Sequence, residues 1–225
     1  MGGFSGPNIV TDGLITHLDP RSKKSYPGSG TAWTDLTGNG HSAVLQSQGV
    51  GTSEIGVMTP GGGTITISSN SVFVGAKTWE VWFKINNFPA NSTFDSIWQH
   101  ANNWNQQTGK GMHLIYGNFT FSYGQSWGGV CQIAISSLST NTWYNAVGTS
   151  DGTTGTDKCK LYLNGDLKDT GTSANVPSDN TNIQIGYGNG GAIDGVIGCF
   201  SVYSKELSAE EVLKNFTTKK SRFGL

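Results

Sequence analysis

Thr78-Trp79-Glu80-Val81-Trp82-Phe83-Lys84-Ile85 is the stretch that decides the fold. On an extended chain Trp79, Val81, Phe83 and Ile85 fall on one side and Glu80, Trp82 and Lys84 on the other, so the segment reads as a strand with one buried face. The same period continues outward. Residues 64–67 (Thr-Ile-Thr-Ile) alternate, Ile183, Ile185 and Tyr187 alternate with Gln184 and Gly186, and Val196, Phe200 and Val202 alternate with Ile197, Cys199 and Ser201. Clusters of Asn, Gly, Ser and Thr separate these runs roughly every 8–12 residues, the signature of an all-β sandwich. The pattern predicts a single domain of about a dozen strands over residues 1–225, with a core from about 9 to 216 and a tail over 217–225.

Two local signals are sharper. Lys158-Cys159-Lys160-Leu161-Tyr162-Leu163 runs into Asn164-Gly165 and then Asp166-Leu167-Lys168, and Asn-Gly supplies the two left-handed residues of a type I′ hairpin turn. Near the end, Leu207-Ser208-Ala209-Glu210-Glu211-Val212 is a capping box, with Ser208 as N-cap, Glu211 reaching back to it, and Leu207 and Val212 as a hydrophobic staple. Val212, Leu213 and Phe216 give the short helix an apolar stripe, expected to pack on the sandwich edge. The closing Lys219-Lys220-Ser221-Arg222-Phe223-Gly224-Leu225 reads as a solvated end. Its alternative is a peptide that docks a partner through Arg222, Phe223 and Leu225, since no helix in the pattern claims them.

Composition removes several classes of function. Charged residues are 13% of the chain and its formal net charge is −1, a poor basis for binding nucleic acid through phosphate neutralisation. No apolar run approaches the ~18 residues of a membrane span. The opening MGGFSGPNIVTDG lacks a basic and then apolar leader, so no signal peptide is expected, and the Asn-x-Thr sequons at Asn91, Asn118 and Asn215 carry no implication without a secretion route. Cys131, Cys159 and Cys199 are odd in number and widely spaced, which fits neither a disulfide framework nor a zinc site.

Catalytic patterns are equally sparse. Sandwich glucanases set paired carboxylates on one strand as Glu-x-Asp-x-x-Glu; here the five glutamates are Glu54, Glu80, Glu206, Glu210 and Glu211, and Glu80 has Ala76, Thr78, Trp82 and Lys84 at the positions where an acidic partner belongs. The four histidines have no Gly-x-Ser-x-Gly elbow beside them. No enzyme is expected. The oxygen-rich Asp151-Gly152-Thr153-Thr154-Gly155-Thr156-Asp157 makes Asp151 and Asp157 calcium ligands in one reading, with Asp19, Asp35, Asn39 and Asp194 as further loop oxygens. Asx-turns explain the same residues without a cation. The region with most bearing on function is 94–129. Trp104 lies among Asn103, Asn105 and other amides, and Trp127 sits in a glycine-rich turn that follows Tyr123. Aromatic rings stack on sugar faces while amides bind hydroxyls, which makes Asn103, Trp104, Asn105, Tyr123 and Trp127 a candidate carbohydrate site. Packing over the sandwich ends and contact with a protein partner are the two competing readings. Trp98, beside Ile97, is assigned to the core.

Asp12-Gly-Leu-Ile-x-x-Leu-Asp19 and Lys24-Ser-Tyr-Pro-Gly-Ser-Gly-Thr-Ala-Trp-Thr-Asp-Leu-Thr-Gly-Asn-Gly40 resemble the opening of laminin-G-like domains of the concanavalin A-like lectin superfamily. Asn141-Thr-Trp-Tyr144, Leu161-Tyr-Leu-Asn-Gly165, Ile183-Gln-Ile-Gly186 and the run from Val202 to Val212 match later blocks in order, so the resemblance covers nearly the whole chain. It implies a concanavalin A-like jelly-roll sandwich of two antiparallel sheets with one short C-terminal helix. One departure stands out: Gly198 occupies the place where the family often carries Asp, so no ligand role of that Asp transfers here. The end of the chain, from Asn215 to Leu225, is similar to the ends of such domains in structural proteins of tailed, especially marine, bacteriophages. The resemblance therefore implies a virion surface protein, a capsid decoration or fibre module, with other virion proteins and host glycans as partners and a trimer as the expected assembly. A free bacterial carbohydrate-binding or adhesion protein outside the cell is the alternative, and a glycoside hydrolase with an atypical site the third.

Overall fold

The period-two segments become two antiparallel sheets packed face to face. The computed structural model describes residues 8–46, 51–53, 56–58, 63–90, 93–100, 109–124, 131–188 and 191–225. In chain order the strands are β1 (Leu14–Leu18), β2 (Ala32–Trp33), β3 (Ala43–Leu45), β4 (Gly51–Ser53), β5 (Gly56–Met58), β6 (Ile65–Ile67), β7 (Thr78–Asn87) and β8 (Phe94–His100). They continue as β9 (Lys110–Ile115), β10 (Asn118–Tyr123), β11 (Cys131–Ala134), β12 (Trp143–Ser150), β13 (Gly155–Leu163), β14 (Asp166–Ser173), β15 (Ile183–Ile185) and β16 (Asp194–Tyr203), followed by helix α1 (Ala209–Lys219). The first sheet has the order β14-β13-β12-β7-β16-β5-β4, with β1 also pairing β16; the second runs β11-β10-β9-β8-β15-β6-β3-β2.

Trp79, Val81, Phe83 and Ile85 of β7 face Trp98, Met112, Leu114, Phe119 and Phe121 of the second sheet across one continuous core. At its centre Trp79 stacks on Trp98, ring centroids 4.5 Å apart. Along one side, Gln132 of β11 donates its backbone N–H to Asp169 of β14 at 2.8 Å, tying one sheet edge to the other. The Asn164-Gly165 turn forms as read, with both residues at positive φ (54° and 85°) between the paired Leu163 and Asp166. The capping box is also present, and Leu207 and Val212 share one apolar cluster. All three cysteines are buried free thiols. Burial pushes the Cys199 thiol up to about 12, so it is inert at neutral pH.

Three expectations change. The second face of β7 is not exposed: Glu80 and Trp82 are both fully buried. Helix α1 lies over the outer face of the first sheet rather than at its edge, because its stripe needs apolar partners and finds them there. Val212 packs with Val147, Tyr162 and Tyr203, and Phe216 stacks on Trp82 at 5.8 Å. Thirdly, β16 carries a bulge between Ile197 and Phe200. The extra residue reverses the phase of the strand. Ile197 therefore joins Phe200 and Val202 in the inter-sheet core, and Val196 joins Cys199 on the helix side.

The tail is not solvated. Residues Lys220–Phe223 form a 3-10 turn that seats Phe223 against Trp82 and Trp143. Arg222 grips Asp19 with both guanidinium nitrogens at 2.7 and 2.6 Å, and Arg21 donates to the Arg222 carbonyl at 2.7 Å.

Candidate functional site

Asn103, Trp104, Asn105 and Trp127 lie outside the described residues. The strands that lead into and out of their segments are described, and they end together. His100 pairs with Lys110, Lys110 with Tyr123, and Cys131 with Phe121, so segments 101–108 and 125–130 both leave one end of the second sheet. Tyr123 is a correction. It is 1% exposed and points into the core, because it shares the inward phase of Phe119 and Phe121 on β10. Its ring packs between the two sheets, away from the outward face.

The calcium loop is also accounted for by protein partners. Asp151 pairs with Lys158 at 2.7 Å and accepts from the backbone N–H and hydroxyl of Thr153, and these bonds hold its carboxyl at about 2. Asp157 accepts from the Thr170 hydroxyl at 3.2 Å. Asp35 takes donors from His17, Thr37 and His41, Asn39 binds the Leu14 and Ile15 carbonyls, and Asp194 is held by Asn86 and Asn87. Among the described residues no three His, Cys, Asp or Glu side chains gather as metal ligands. The docking peptide is corrected too: Arg222 and Phe223 are engaged within their own domain, and only Leu225 stays exposed.

The second sheet carries a polar surface on the face turned away from the core. On β10 the sequence Asn-Phe-Thr-Phe-Ser-Tyr sends Phe119, Phe121 and Tyr123 inward and Thr120 and Ser122 outward. Cross-strand pairing assembles these with residues far away in sequence. One row runs Gln132, Thr120, His113, Ser96 across β11, β10, β9 and β8. The next runs Ser122, Gly111, Gln99, Gln184, Thr66 from β10 to β6. Gln132 at the edge is exposed, whereas Thr120, His113, Ser96 and Gln99 are all buried.

Within the rows, His113 Nδ1 lies 3.2 Å from the Ser96 hydroxyl, and Gln99 donates to the Gln184 side-chain oxygen at 2.7 Å. Burial drops the His113 imidazole to about 3, so it is neutral at physiological pH. Phe94, half-buried, sets its ring 4.9 Å from that of His113. Gly111 makes room for the histidine, whose ring lies over it: a Cβ there would fall 2.4 Å from His113 Nε2. The Thr120 and Ser122 hydroxyls are buried without a hydrogen-bond partner. Such groups cost about 1–3 kcal/mol each unless something outside the chain satisfies them. The alternation on β10 was visible in the sequence; the rows exist only through strand pairing.

A family model described as the concanavalin A-like lectin/glucanases superfamily matches residues 59–213. No curated protein matches the sequence. Among solved structures, the chain is similar to Trypanosoma rangeli sialidase in complex with sialic acid, at 16% identity and TM-score 0.71, covering 96% of this chain and 34% of that one. It is similar to the receptor binding domain of botulinum neurotoxin C/D mosaic serotype, at 21% identity and TM-score 0.69, covering 94% of this chain and 52% of that one. It is also similar to domain 4 of AbnA, a GH43 extracellular arabinanase from Geobacillus stearothermophilus, in complex with arabinotriose. That match has 15% identity and TM-score 0.67, and covers 90% of this chain and 97% of the domain. These likenesses are of fold, and the chain spans about a third of the sialidase and half of the toxin domain.

Proposed function

The chain belongs to the concanavalin A-like lectin/glucanases superfamily, and from that premise we propose that it is a non-catalytic glycan-binding module whose ligand sits on the outward face of the second sheet. The observation that carries this reading is the pair of buried, partnerless hydroxyls on Thr120 and Ser122, set among amides, a neutral imidazole and the Phe94 ring. Sugar hydroxyls both donate and accept, and so match hydroxyls and amides, while the C–H face of a sugar packs on an aromatic ring. Domain 4 of AbnA, of the same fold and nearly the same length, was solved with arabinotriose. Trp104 and Trp127, which lie outside the described residues, are the aromatic side chains that the sequence offers for stacking. A glycan array with the purified protein tests the reading. Saturable binding that Trp104→Ala or Trp127→Ala removes, at unchanged melting temperature, is the expected result, and a blank array overturns it.

The proposed setting is the surface of a tailed-bacteriophage particle, as a capsid decoration or fibre module, supported by the resemblance of residues 215–225 to the ends of such proteins. Immunogold labelling of intact particles tests it, and unlabelled particles overturn it.

Hydrolysis is a second reading with one observation in its favour. Asp95, from β8, is pushed up to about 6 by burial and by the charge of Asp194, which begins β16 in the other sheet. A carboxyl raised in this way can serve as a general acid. Release of reducing sugar that disappears in Asp95→Asn would establish it; no release by the unmodified protein would dismiss it.

A further inference from the structure

Charge is distributed unequally between the two sheets. The strands of the first sheet carry nine Asp, Glu or Lys residues, from Glu80 and Lys84 on β7 to Asp194 on β16. The strands of the second sheet carry two, Asp95 and Lys110, and neither belongs to the outward rows. Lys110 is 2% exposed; its ammonium donates to the Phe73 and Val74 carbonyls at 2.6 and 2.7 Å and lies over the Trp79 ring on the core side. Asp95 alternates with the outward Phe94 and Ser96, and so turns toward the first sheet and Asp194. The outward rows are therefore made of hydroxyls, amides and a histidine that burial keeps neutral.

We infer that this face selects uncharged saccharides, hexose or pentose chains without carboxylate, sulfate or phosphate groups, and rejects acidic ones. The inference rests on the glycan-binding reading above and adds the class of ligand. The physical reason is desolvation. An anionic group brought onto this buried floor loses its water, and only an Arg or Lys fork or a focused set of N–H donors repays that loss. The floor has no such cation. Neutral sugar hydroxyls lose less on transfer and regain paired hydrogen bonds, two of them to Thr120 and Ser122, which otherwise have none. Binding of this kind depends little on ionic strength, because no charge pair is screened.

The test is calorimetry on the full chain with matched probes: lactose against sialyllactose, and galactotriose against trigalacturonate, supplemented by arabino-, manno- and cello-oligosaccharides and a heparin hexasaccharide. The expected result is that at least one neutral probe binds, that its acidic counterpart binds about tenfold more weakly or worse, and that affinity changes less than about twofold between ~50 and ~500 mM NaCl. The double variant Thr120→Val, Ser122→Ala should weaken the neutral probe about tenfold with the melting temperature unchanged or raised. Equal or tighter binding of an acidic probe overturns the inference while leaving the glycan-binding reading in place. Neutral binding that the double variant leaves intact places the ligand elsewhere and also overturns it. Binding of none of the probes, on a protein that a broad glycan array also leaves blank, removes both readings together.

Discussion

The ring of Phe223 lies flat on Trp82, centroids 4.2 Å apart and planes 13° from parallel. The contact exists because Gly198 has no side chain: a Cβ there would stand 2.8 Å from the Phe223 ring and 3.0 Å from the Trp82 Cβ. The glycine that departs from the family's Asp thus makes room for the chain's own C-terminus. With Arg222 on Asp19, it turns the last residues into a strap across the helix-covered sheet.

Removing the ring should therefore open this layer. Phe223→Ala is expected to cost about 3 kcal/mol, the lower end for a buried phenylalanine because the site is at the periphery, and to shift tryptophan emission to the red as Trp82 meets water. Gly198→Ala should cost about 1–3 kcal/mol by overpacking. Urea unfolding followed by fluorescence measures both; wild-type midpoints would show that the strap contributes nothing.

Asn215 joins three elements. Its side-chain oxygen accepts from the Val10 N–H at 2.8 Å, and its amide donates to Glu80 and to the Tyr203 hydroxyl, each at 2.9 Å. Glu80 also receives the Trp82 indole and the Asn145 amide, with Lys219 at 3.9 Å. Asn215→Ala leaves a buried N–H unmatched and takes one donor from a buried carboxylate, so a loss of about 2–4 kcal/mol is expected. Thermal unfolding measures it. Because Asn215 is fully buried, its sequon should stay unmodified in a glycosylating host, which intact mass would show.

Stability should fall on mild acidification. Burial lowers His17 and His113 to about 3 and His100 to about 4, so the fold holds them neutral while the unfolded chain protonates them below about 6.5. Asp95 works in the opposite sense: raised to about 6, it is protonated in the fold before it is in the unfolded chain, and offsets one of the three protons. Unfolding near pH 5 should thus take up about two protons, and stability should drop as pH falls from about 6.5 toward 4. Just above neutrality the trend continues upward, because burial lowers Lys110 to about 7 while the unfolded chain keeps that proton. Higher up it reverses: burial raises Cys131, Cys159 and Cys199, so the fold keeps thiol protons that the unfolded chain loses, and stability should peak near about pH 8 and fall toward about pH 10. Urea midpoints across pH 4–10 measure both arms, and a flat profile would contradict them.

Thr120→Val alone should leave the melting temperature unchanged or raise it slightly. The variant deletes a buried hydroxyl that has no partner and keeps its shape. A clear loss of stability would mean that the hydroxyl is satisfied within the chain.

What the sequence determined by itself is whatever backbone geometry fixes locally. Alternation set the strands and the inward phase of Trp79, Val81, Phe83 and Ile85; Asn164-Gly165 set its turn through two positive φ angles; and Ser208 with Glu211 set the start of α1, because a cap needs only neighbours three residues apart. What only the tertiary structure decided are the relations between segments distant along the chain. No local rule says that α1 and Phe223 cover the second face of β7, that one extra residue near Gly198 reverses the phase of β16, or that Tyr123 turns inward while Thr120, His113, Ser96, Gln99 and Gln184 align in rows. Pairing between strands is chosen by burial summed over the whole core, and neighbours in sequence carry no record of which distant strand will lie beside them.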